Sequence, residues 1–326
     1  MKLTDSLGRT INYLRLSVTD RCNMRCSYCM PAHGVSKMCH DDILRYEELQ
    51  QIAEAAVSIG IEKVRITGGE PLVRAGIVDF LAGLAEIRGL RHLALSTNGV
   101  LLKRMAADLR TAGVQSLNVS LDSLKREVFS AVTRGGDLDM VLAGLDTAEK
   151  VGFPAPKINM VVMRGVNDAE ILDFAELTIS RGNSVRFIEY MPVIKESGWQ
   201  HYCVPGEEIL QRIATRHLLV NVDKGAFAGP SRDFRIPGAR GTIGIITAVS
   251  GHFCGECNRI RVTSDGKGKG CLFSDEKTDL LHCLRPLDRL KLRRTLRDIV
   301  MAKPERHNIS FTGYEHENFT MAQIGG

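Results

Sequence analysis

Short apolar runs rich in β-branched residues recur along the chain, and longer segments with helical periodicity separate them. Strands that alternate with helices of this length predict βαβ units and a parallel sheet. The predicted strands are Leu14–Asp20, Lys63–Gly69, His92–Asn98, Ser116–Asp122, Pro156–Met163 and Val185–Met191. The predicted helices between them are Arg45–Ile59, Gly76–Ile87, Leu101–Ala112, Met140–Val151 and Ala169–Ser180.

These strand–helix units predict either a doubly wound sheet or an incomplete barrel. Most of the predicted strands end in polar residues or glycine, for example Thr67–Glu70 and Ser96–Gly99. Turn formation alone accounts for about half of such residues. In parallel α/β folds, however, chemistry collects beyond the carboxyl ends of the strands. The pattern therefore predicts one shared active site at that edge.

The character of the sequence changes after Lys224. Glycine, proline and basic residues become frequent through Gly225–Gly241, and a strand-like run, Thr242–Val249, precedes a group of cysteines. We therefore divide the chain into a first domain, residues 1–224, and a C-terminal domain, residues 225–326.

The composition is that of an ordinary globular protein and names no function. A net charge of +5 without a run of Lys or Arg argues only weakly for nucleic-acid binding. A solvated basic surface and a basic pocket for an anionic small molecule both account for it. The polar segment Met1–Thr10 and the lack of any run of ~20 apolar residues predict a cytoplasmic protein without membrane or nucleic-acid partners.

The cysteines suggest metal ligation, because an odd number, nine, is a poor basis for a set of disulfides. Cys22, Cys26 and Cys29 follow the first predicted strand with the spacing C-x3-C-x2-C. Structural zinc is one interpretation, but it normally takes four protein ligands. A [4Fe–4S] cluster held by three thiolates would leave one iron open to a small chelating molecule.

A second group, Cys254, Cys257 and Cys271, also supplies three ligands and predicts a second cluster with an open iron. Arg259 and Arg261 lie two apart on a predicted strand and therefore share a face. A triphosphate would suit their forked donors, although exposure at the surface is about equally compatible with the spacing. The remaining cysteines, Cys39, Cys203 and Cys283, are either further metal ligands or small buried apolar residues.

The first triad, with Tyr28 before its last cysteine, resembles that of the radical S-adenosylmethionine superfamily, and Thr67–Pro71 resembles the segment that holds the methionine amino group there. Nearly the whole chain resembles the GTP 3′,8-cyclase family within that superfamily. The segments that carry this resemblance are both triads, Tyr13–Ser17, Gly229–Pro230, Phe234–Gly238, Asn258–Arg261 and Gly325–Gly326.

The resemblance implies an α/β fold: an incomplete (β/α)6 barrel whose open side is closed by a smaller C-terminal α+β domain that carries the second cluster. It implies two [4Fe–4S] clusters, one per triad, and contacts to S-adenosylmethionine from Tyr28, Gly69, Ser120 and Met191. The residues implied for GTP are Arg15, Arg65, Ser96, Lys157, Arg259, Ile260 and Arg261, with Arg186, Asn258, Gly325 and Gly326 as additional candidates. Ser96 replaces the threonine that is usual in the family and keeps its hydroxyl.

The resemblance also implies the reaction. An electron from the first cluster would cleave S-adenosylmethionine, the resulting 5′-deoxyadenosyl radical would take hydrogen from ribose C3′, and C3′ would then attack guanine C8. The product would be 3′,8-cyclo-7,8-dihydro-GTP, the first intermediate of molybdenum cofactor biosynthesis. The implied partners are a flavodoxin- or ferredoxin-type electron donor, the cyclic pyranopterin monophosphate synthase that receives the product, and a second copy in a homodimer.

Two other functions are compatible with parts of the sequence. A radical enzyme that modifies a peptide would use the second cluster as an electron relay, which usually has four protein ligands. A non-catalytic iron or zinc protein that binds RNA would instead show salt-sensitive nucleic-acid binding and no cleavage of S-adenosylmethionine. The Gly-Gly-Glu-Pro segment and the first triad count against this last function.

Overall fold

One twisted sheet runs through the molecule. The structure is a computed structural model that describes residues 2–193, 198–223, 225, 227, 229–251, 253–307, 309 and 321–324. Within these residues the sheet has the strand order β12-β11-β10-β1-β2-β3-β4-β5-β6-β9-β8-β7. The strands are β1 (Tyr13–Ser17), β2 (Lys63–Thr67), β3 (His92–Thr97), β4 (Ser116–Ser120), β5 (Lys157–Val162), β6 (Val185–Glu189), β7 (Val220–Val222), β8 (Arg232–Arg235), β9 (Ile243–Ile246), β10 (Arg259–Val262), β11 (Lys267–Lys269) and β12 (Thr278–Asp279).

Helices connect the strands, and most of them cover the outer face of the sheet. They are α1 (Tyr46–Ser58), α2 (Ile77–Ala85), α3 (Leu102–Thr111), α4 (Arg126–Thr133), α5 (Leu138–Lys150), α6 (Ile171–Ser180), α7 (Gly206–Ala214), α8 (Leu281–Leu284), α9 (Arg289–Met301) and α10 (Met321–Ile324). None of the helices in the described part of the chain combines the length and apolar character needed to cross a lipid bilayer.

Strands β1 to β6 are parallel and form the predicted incomplete barrel. Side chains alternate between the two faces of each strand. On β1, Leu14 and Leu16 are fully buried in the core under the helices, whereas Tyr13 and Arg15 line a cavity on the inner face. The alternation thus separates an apolar outer layer from a polar interior.

The C-terminal part of the chain adds strands to both ends of this core. β10 pairs in parallel with β1, and β9 pairs in parallel with β6. Glu189, at the end of β6, is fully buried and accepts hydrogen bonds from the backbone N–H groups of Gly206, Val249 and Ser250. This carboxylate therefore ties the segment before the second cysteine triad to the barrel. Among the described residues the sheet does not close, as expected of an incomplete barrel.

The six strands and five helices predicted in the first part of the chain are present, with small shifts at their ends. The strands are shorter than predicted because their last residues form turns. Helix α5 begins before Met140 because the side chain of Asp137 caps it by accepting from the N–H of Asp139. Helices α4 and α7 and strand β7 were not predicted, and the predicted strand Thr242–Val249 is confined to β9. The division of the chain at residue 224 stays a prediction.

Candidate active site

Both cysteine triads line the same cavity. Its wall includes the three cysteines of the first triad, the three of the second, and polar side chains from the inner face of β1 to β6 and β10. These residues are far apart in sequence, and the barrel brings them together because its inner face continues from β6 through β1 to β10.

The loop that carries the first triad rests on the turn after β2. The N–H of Gly69 donates to the carbonyl of Thr19, and the N–H of Glu70 donates to that of Arg21, both at 2.8 Å. A Cβ atom on Gly69 would lie 2.4 Å from the carbonyl oxygen of Arg21. This close approach of the cysteine loop requires glycine at both Gly68 and Gly69.

Glu70 organises the turns that surround the first triad. Its buried carboxylate accepts from the backbone N–H groups of Leu72 and Asn98 and from the hydroxyl of Thr97. Burial raises the pKa of Glu70 to about 7. The amide of Asn98 in turn points at the sulfur of Cys22, 3.9 Å away. The carboxylate therefore positions a neutral N–H donor against one of the sulfurs.

The residues expected to contact S-adenosylmethionine, Tyr28, Gly69, Ser120 and Met191, all lie on the cavity wall. The hydroxyl of Tyr28 donates to Asp122 at 2.8 Å, and Asp122 also accepts from the N–H of Val161. Burial raises the pKa of Asp122 to about 6. The bond to Asp122 fixes the Tyr28 ring beside Cys29, where it forms part of the wall.

The sulfurs of the first triad fit a metal cluster. Each interacts electrostatically with another sulfur of the triad, and burial raises the pKa of all three thiols, that of Cys29 to about 12. Without a cation these thiols would stay protonated, and bound iron would convert them to thiolates. The backbone N–H groups of Met321 and Ala322, at the start of α10, donate to Cys29. The three sulfurs therefore fit the implied [4Fe–4S] cluster.

The sulfurs of the second triad also interact with one another, but their surroundings are positive. Cys254 lies in a turn before β10, and the carbonyl of this residue accepts from Arg9 at 2.9 Å. Burial alone would raise the pKa of Cys257, but the charges of Arg259 and Lys303 overcome it and lower the pKa to about 6. This triad thus offers a thiolate close to neutral pH and also fits an iron–sulfur cluster.

Positively charged side chains form a patch on the inner face of the barrel next to the second triad. Strand pairing sets Tyr13 between Arg259 and Lys63, and Arg15 between Arg261 and Arg65. Lys157 and Arg186 continue the patch, since both interact electrostatically with Arg65. We call this set the cationic wall: Arg15, Lys63, Arg65, Lys157, Arg186, Arg259 and Arg261.

The cationic wall is largely shielded from water, since Lys63, Arg65 and Arg261 are buried and its other members are half-buried. Burial, reinforced by neighbouring positive charges, lowers the pKa of Lys63 to about 7, that of Lys157 to about 8 and that of Arg261 to about 10. Burial would raise the pKa of Tyr13, but the surrounding cations bring it to about 6. Several buried like charges repel one another, and a bound polyanion would relieve that repulsion.

Some of the residues expected to bind GTP line the cavity and others do not. Those that line it are Arg15, Arg65, Ser96, Arg186, Arg259 and Arg261. The hydroxyl of Ser96 accepts a hydrogen bond from Arg65 at 3.4 Å.

Among the described residues, Lys157, Asn258 and Ile260 do not line the cavity. Lys157 belongs to the cationic wall through its interaction with Arg65 and Arg186. The side chain of Ile260 is fully buried on the opposite face of β10, so only its backbone could face the cavity. Asn258 donates to the side chain of Asn12. Gly325 and Gly326 lie outside the described residues, and their expected role stays a prediction.

The sequence interpretation missed Lys63, Tyr13, Asn118 and Asn159, which also line the cavity. Lys63 lies two residues before Arg65 on one strand, so the same-face argument used for Arg259 and Arg261 would have found it. The side-chain oxygens of Asn118 and Asn159 are buried without a hydrogen-bond partner. Orphaned acceptors on a cavity wall indicate a ligand with hydrogen-bond donors.

The three cysteines left unassigned are not part of the cavity wall in the described structure. Cys203 and Cys283 are buried, and Cys39 is exposed. Burial raises the pKa of Cys203 to about 12, as for a small buried apolar residue.

Two family models match the chain. One, described as the radical SAM superfamily, matches residues 16–178, and the other, described as Molybdenum Cofactor Synthesis C, matches residues 183–309. The chain is 65% identical over 326 residues to a GTP 3′,8-cyclase of Geobacter sulfurreducens, with both chains covered completely. It is 43% identical to a GTP 3′,8-cyclase of Alkaliphilus oremlandii, covering 99% of this chain and 100% of the relative.

Solved structures support the same fold. Streptococcus suis SuiB bound to S-adenosylmethionine matches with a TM-score of 0.63 and 14% identity, over 90% of this chain and 66% of SuiB, just under two thirds of its length. Native anSMEcpe with bound AdoMet matches with a TM-score of 0.57 and 16% identity, over 88% of this chain and 83% of that one. At these identities the likeness concerns the fold alone.

Proposed function

This chain belongs to the GTP 3′,8-cyclase family of the radical S-adenosylmethionine superfamily, and from this membership we propose that it converts GTP into (8S)-3′,8-cyclo-7,8-dihydroguanosine 5′-triphosphate. That reaction is the first step of molybdenum cofactor biosynthesis. The observation that carries the proposal is the single cavity in which two three-cysteine sites flank the cationic wall. One site suits S-adenosylmethionine, and the other lies beside charges that suit a triphosphate.

The six cysteines would hold two [4Fe–4S] clusters, with three protein ligands each. With S-adenosylmethionine bound, the first cluster supplies the one-electron chemistry needed to reach an unactivated C–H bond. Tyr28, held by Asp122, would pack against S-adenosylmethionine, and Ser120 and Met191 would complete its pocket.

The cationic wall would bind and orient GTP. The forked donors of Arg15, Arg65 and Arg261 can each take two phosphate oxygens, and the lysines supply point charges. Strand pairing fixes the backbone spacing of these residues, so their side chains would hold the triphosphate on the inner face of the barrel. The burial of Lys63, Arg65 and Arg261 would limit the access of water to a reactive substrate radical and so reduce side reactions.

The finer parts of the proposal concern partners and location. A flavodoxin- or ferredoxin-type protein would deliver electrons, the cyclic pyranopterin monophosphate synthase would receive the product, and the enzyme would act in the cytoplasm as a homodimer. The described structure leaves the cysteines unpaired by disulfides, which suits a reducing compartment.

The proposed reaction is tested by anaerobic reconstitution with iron and sulfide, followed by incubation with dithionite, S-adenosylmethionine and GTP. We expect mass analysis to show 5′-deoxyadenosine and a product with the mass of GTP, since cyclisation rearranges the nucleotide without loss of atoms. Chromatography separates that product from GTP. If S-adenosylmethionine is cleaved and GTP stays unchanged, the proposed substrate is wrong.

We expect GTP binding to weaken as the pH rises from about 7 to about 9, because buried Lys63 and Lys157, with pKa values of about 7 and 8, lose their protons in the free enzyme. Phosphate esters lose their second proton near pH 6, so the charge of the triphosphate changes little over this range. Anaerobic calorimetry at several pH values measures the effect.

The variant Lys63→Met should bind GTP roughly tenfold more weakly at pH 7, the equivalent of one charge-assisted contact, and should show a flatter pH profile. Lys103→Met, which changes an exposed lysine on α3, is the matched control. An unchanged profile in Lys63→Met would place GTP away from this lysine.

A further inference from the structure

The two triads lie in surroundings of opposite charge. Next to the first triad are two buried carboxyl groups, Glu70 and Asp122, and each, when ionised, disfavours a negative charge on a nearby cysteine. Glu70 is coupled to Cys22 through Asn98, which hydrogen-bonds to both. Asp122 is held near Cys26 and Cys29 by its bond to Tyr28.

The second triad is surrounded by cations instead. Lys303, in the segment after α9, is 4% exposed, and its ammonium lies 3.7 Å from the sulfur of Cys257. The side chain of Arg259 also hydrogen-bonds to Cys257. Arg9 reaches the carbonyl of Cys254, although Asp5 balances its charge at 2.6 Å. Lys303 and Arg259 are thus two positive charges in direct contact with Cys257.

Lys303 also connects the two segments that carry the second triad. Its ammonium donates to the carbonyl oxygens of Arg259 and Gly270, both at 2.7 Å. Arg259 follows Cys257 by two residues, and Gly270 directly precedes Cys271. A Cβ atom on Gly270 would lie 3.0 Å from Cγ of Lys303, so glycine leaves room for the lysine stem. One buried ammonium therefore sets the spacing of two ligands and places a positive charge against one of them.

Neutral hydrogen bonds are more numerous at the first triad. The backbone N–H of Met24 and the side-chain amide of Asn98 donate to Cys22, and the N–H groups of Met321 and Ala322 donate to Cys29. At the second triad, the N–H groups of His307 and Arg259 donate to Cys254 and Cys257. Such bonds raise the potential of a cluster and by themselves favour the first, but a neutral donor acts more weakly than a full charge, so the sign of the nearby charges decides the order.

We propose that these charges make the cluster of the second triad easier to reduce than that of the first, with Lys303 as the positioning residue that contributes most directly. Reduction adds one electron and no proton to a cluster, so a nearby ammonium stabilises the reduced form and a nearby carboxylate destabilises it. The inference rests on the proposed function, because it assumes a [4Fe–4S] cluster at each triad.

This ordering fits the roles of the two sites. A low potential at the first triad favours electron transfer to S-adenosylmethionine, which is hard to reduce. A higher potential at the second triad keeps its cluster reduced beside the GTP pocket. The cyclised nucleotide radical must gain one electron and one proton there to give the product.

The ordering is tested by anaerobic redox titration, followed by electron paramagnetic resonance, of the reconstituted enzyme without substrates. Triple alanine variants of either triad assign each signal to its cluster. We expect the cluster of the second triad to have the higher midpoint potential. Equal potentials, or the reverse order, would overturn the inference. Zinc in place of iron would instead refute the proposed function on which it rests.

The role of Lys303 is tested with Lys303→Gln, which removes the charge but keeps a donor for the two carbonyls, and with the apolar Lys303→Met. Both should shift the midpoint potential of the second cluster to a more negative value and leave the first cluster unchanged. Lys291→Met, which changes an exposed lysine on α9, should shift neither.

Iron content separates a lost cluster from a shifted potential. If Lys303→Met loses iron and Lys303→Gln retains it with a lower potential, the lysine acts through both charge and packing, as proposed. A retained second cluster with unchanged potential in Lys303→Gln would refute the electrostatic role of Lys303.

Discussion

Replacing Cys254, Cys257 and Cys271 together by alanine is expected to abolish GTP cyclisation while S-adenosylmethionine is still cleaved. The first triad lies on a separate loop that is held by Gly69 and Glu70, and none of these contacts depends on the second triad. The first cluster should therefore assemble on its own, whereas the place where GTP would meet the second cluster is lost.

The experiment measures the iron content and the amounts of two products, 5′-deoxyadenosine and the cyclised nucleotide. Iron should fall to about half of the unmodified enzyme, from roughly eight atoms per chain, since each site holds one cluster. The 5′-deoxyadenosine product should still form, and the cyclised nucleotide should not. The complementary variant, with alanine at Cys22, Cys26 and Cys29, should lose both products and keep the other half of the iron. Cyclisation by the first variant would contradict the proposed role of the second triad.

Replacing Arg261 by alanine is expected to lower kcat/KM for GTP roughly tenfold to a hundredfold. The side chain is 7% exposed, lines the cavity and lies opposite Arg15 in the strand pairing. Its pKa, lowered by burial to about 10, leaves it charged at neutral pH. The expected loss corresponds to about 1.5–3 kcal/mol for one hydrogen bond to a charged group.

Iron content should be unchanged in this variant, because Arg261 is not a cluster ligand. Arg259→Ala should weaken GTP turnover in a similar way and should also alter the second cluster, since Arg259 hydrogen-bonds to Cys257. Arg104→Ala, on the exposed surface of α3, is the control and should turn over GTP normally. Normal GTP kinetics in both Arg259→Ala and Arg261→Ala would reopen the interpretation of the enzyme as a peptide-modifying one.

The structure explains the basic net charge of the chain. Several of its cations, including Lys63, Arg65 and Arg261, are buried around the cavity. Composition left open either a solvated basic surface or a basic pocket for an anionic small molecule. The buried cations show that a basic pocket accounts for part of the charge. These buried residues could not contribute to a nucleic-acid-binding surface on the outside of the protein.

Local patterns in the sequence determined the elements of the barrel and the candidate ligands. Periodicity identified the six parallel strands and five of the helices because side-chain alternation and helical repeats depend on nearest neighbours along the chain. The spacing of Cys22, Cys26 and Cys29 identified a three-ligand site for the same reason, since these residues lie on one loop.

Only the tertiary structure decided which of these elements share a site. The pairing of β10 with β1 sets Arg259 and Arg261 against Tyr13 and Arg15, although about 245 residues separate them along the chain. The packing of α9 against α1 and β11 brings Lys303 to Cys257, and no local pattern marks that lysine. Strand order and the burial of charge follow from packing between distant segments. Local periodicity in the sequence gives no direct information about either.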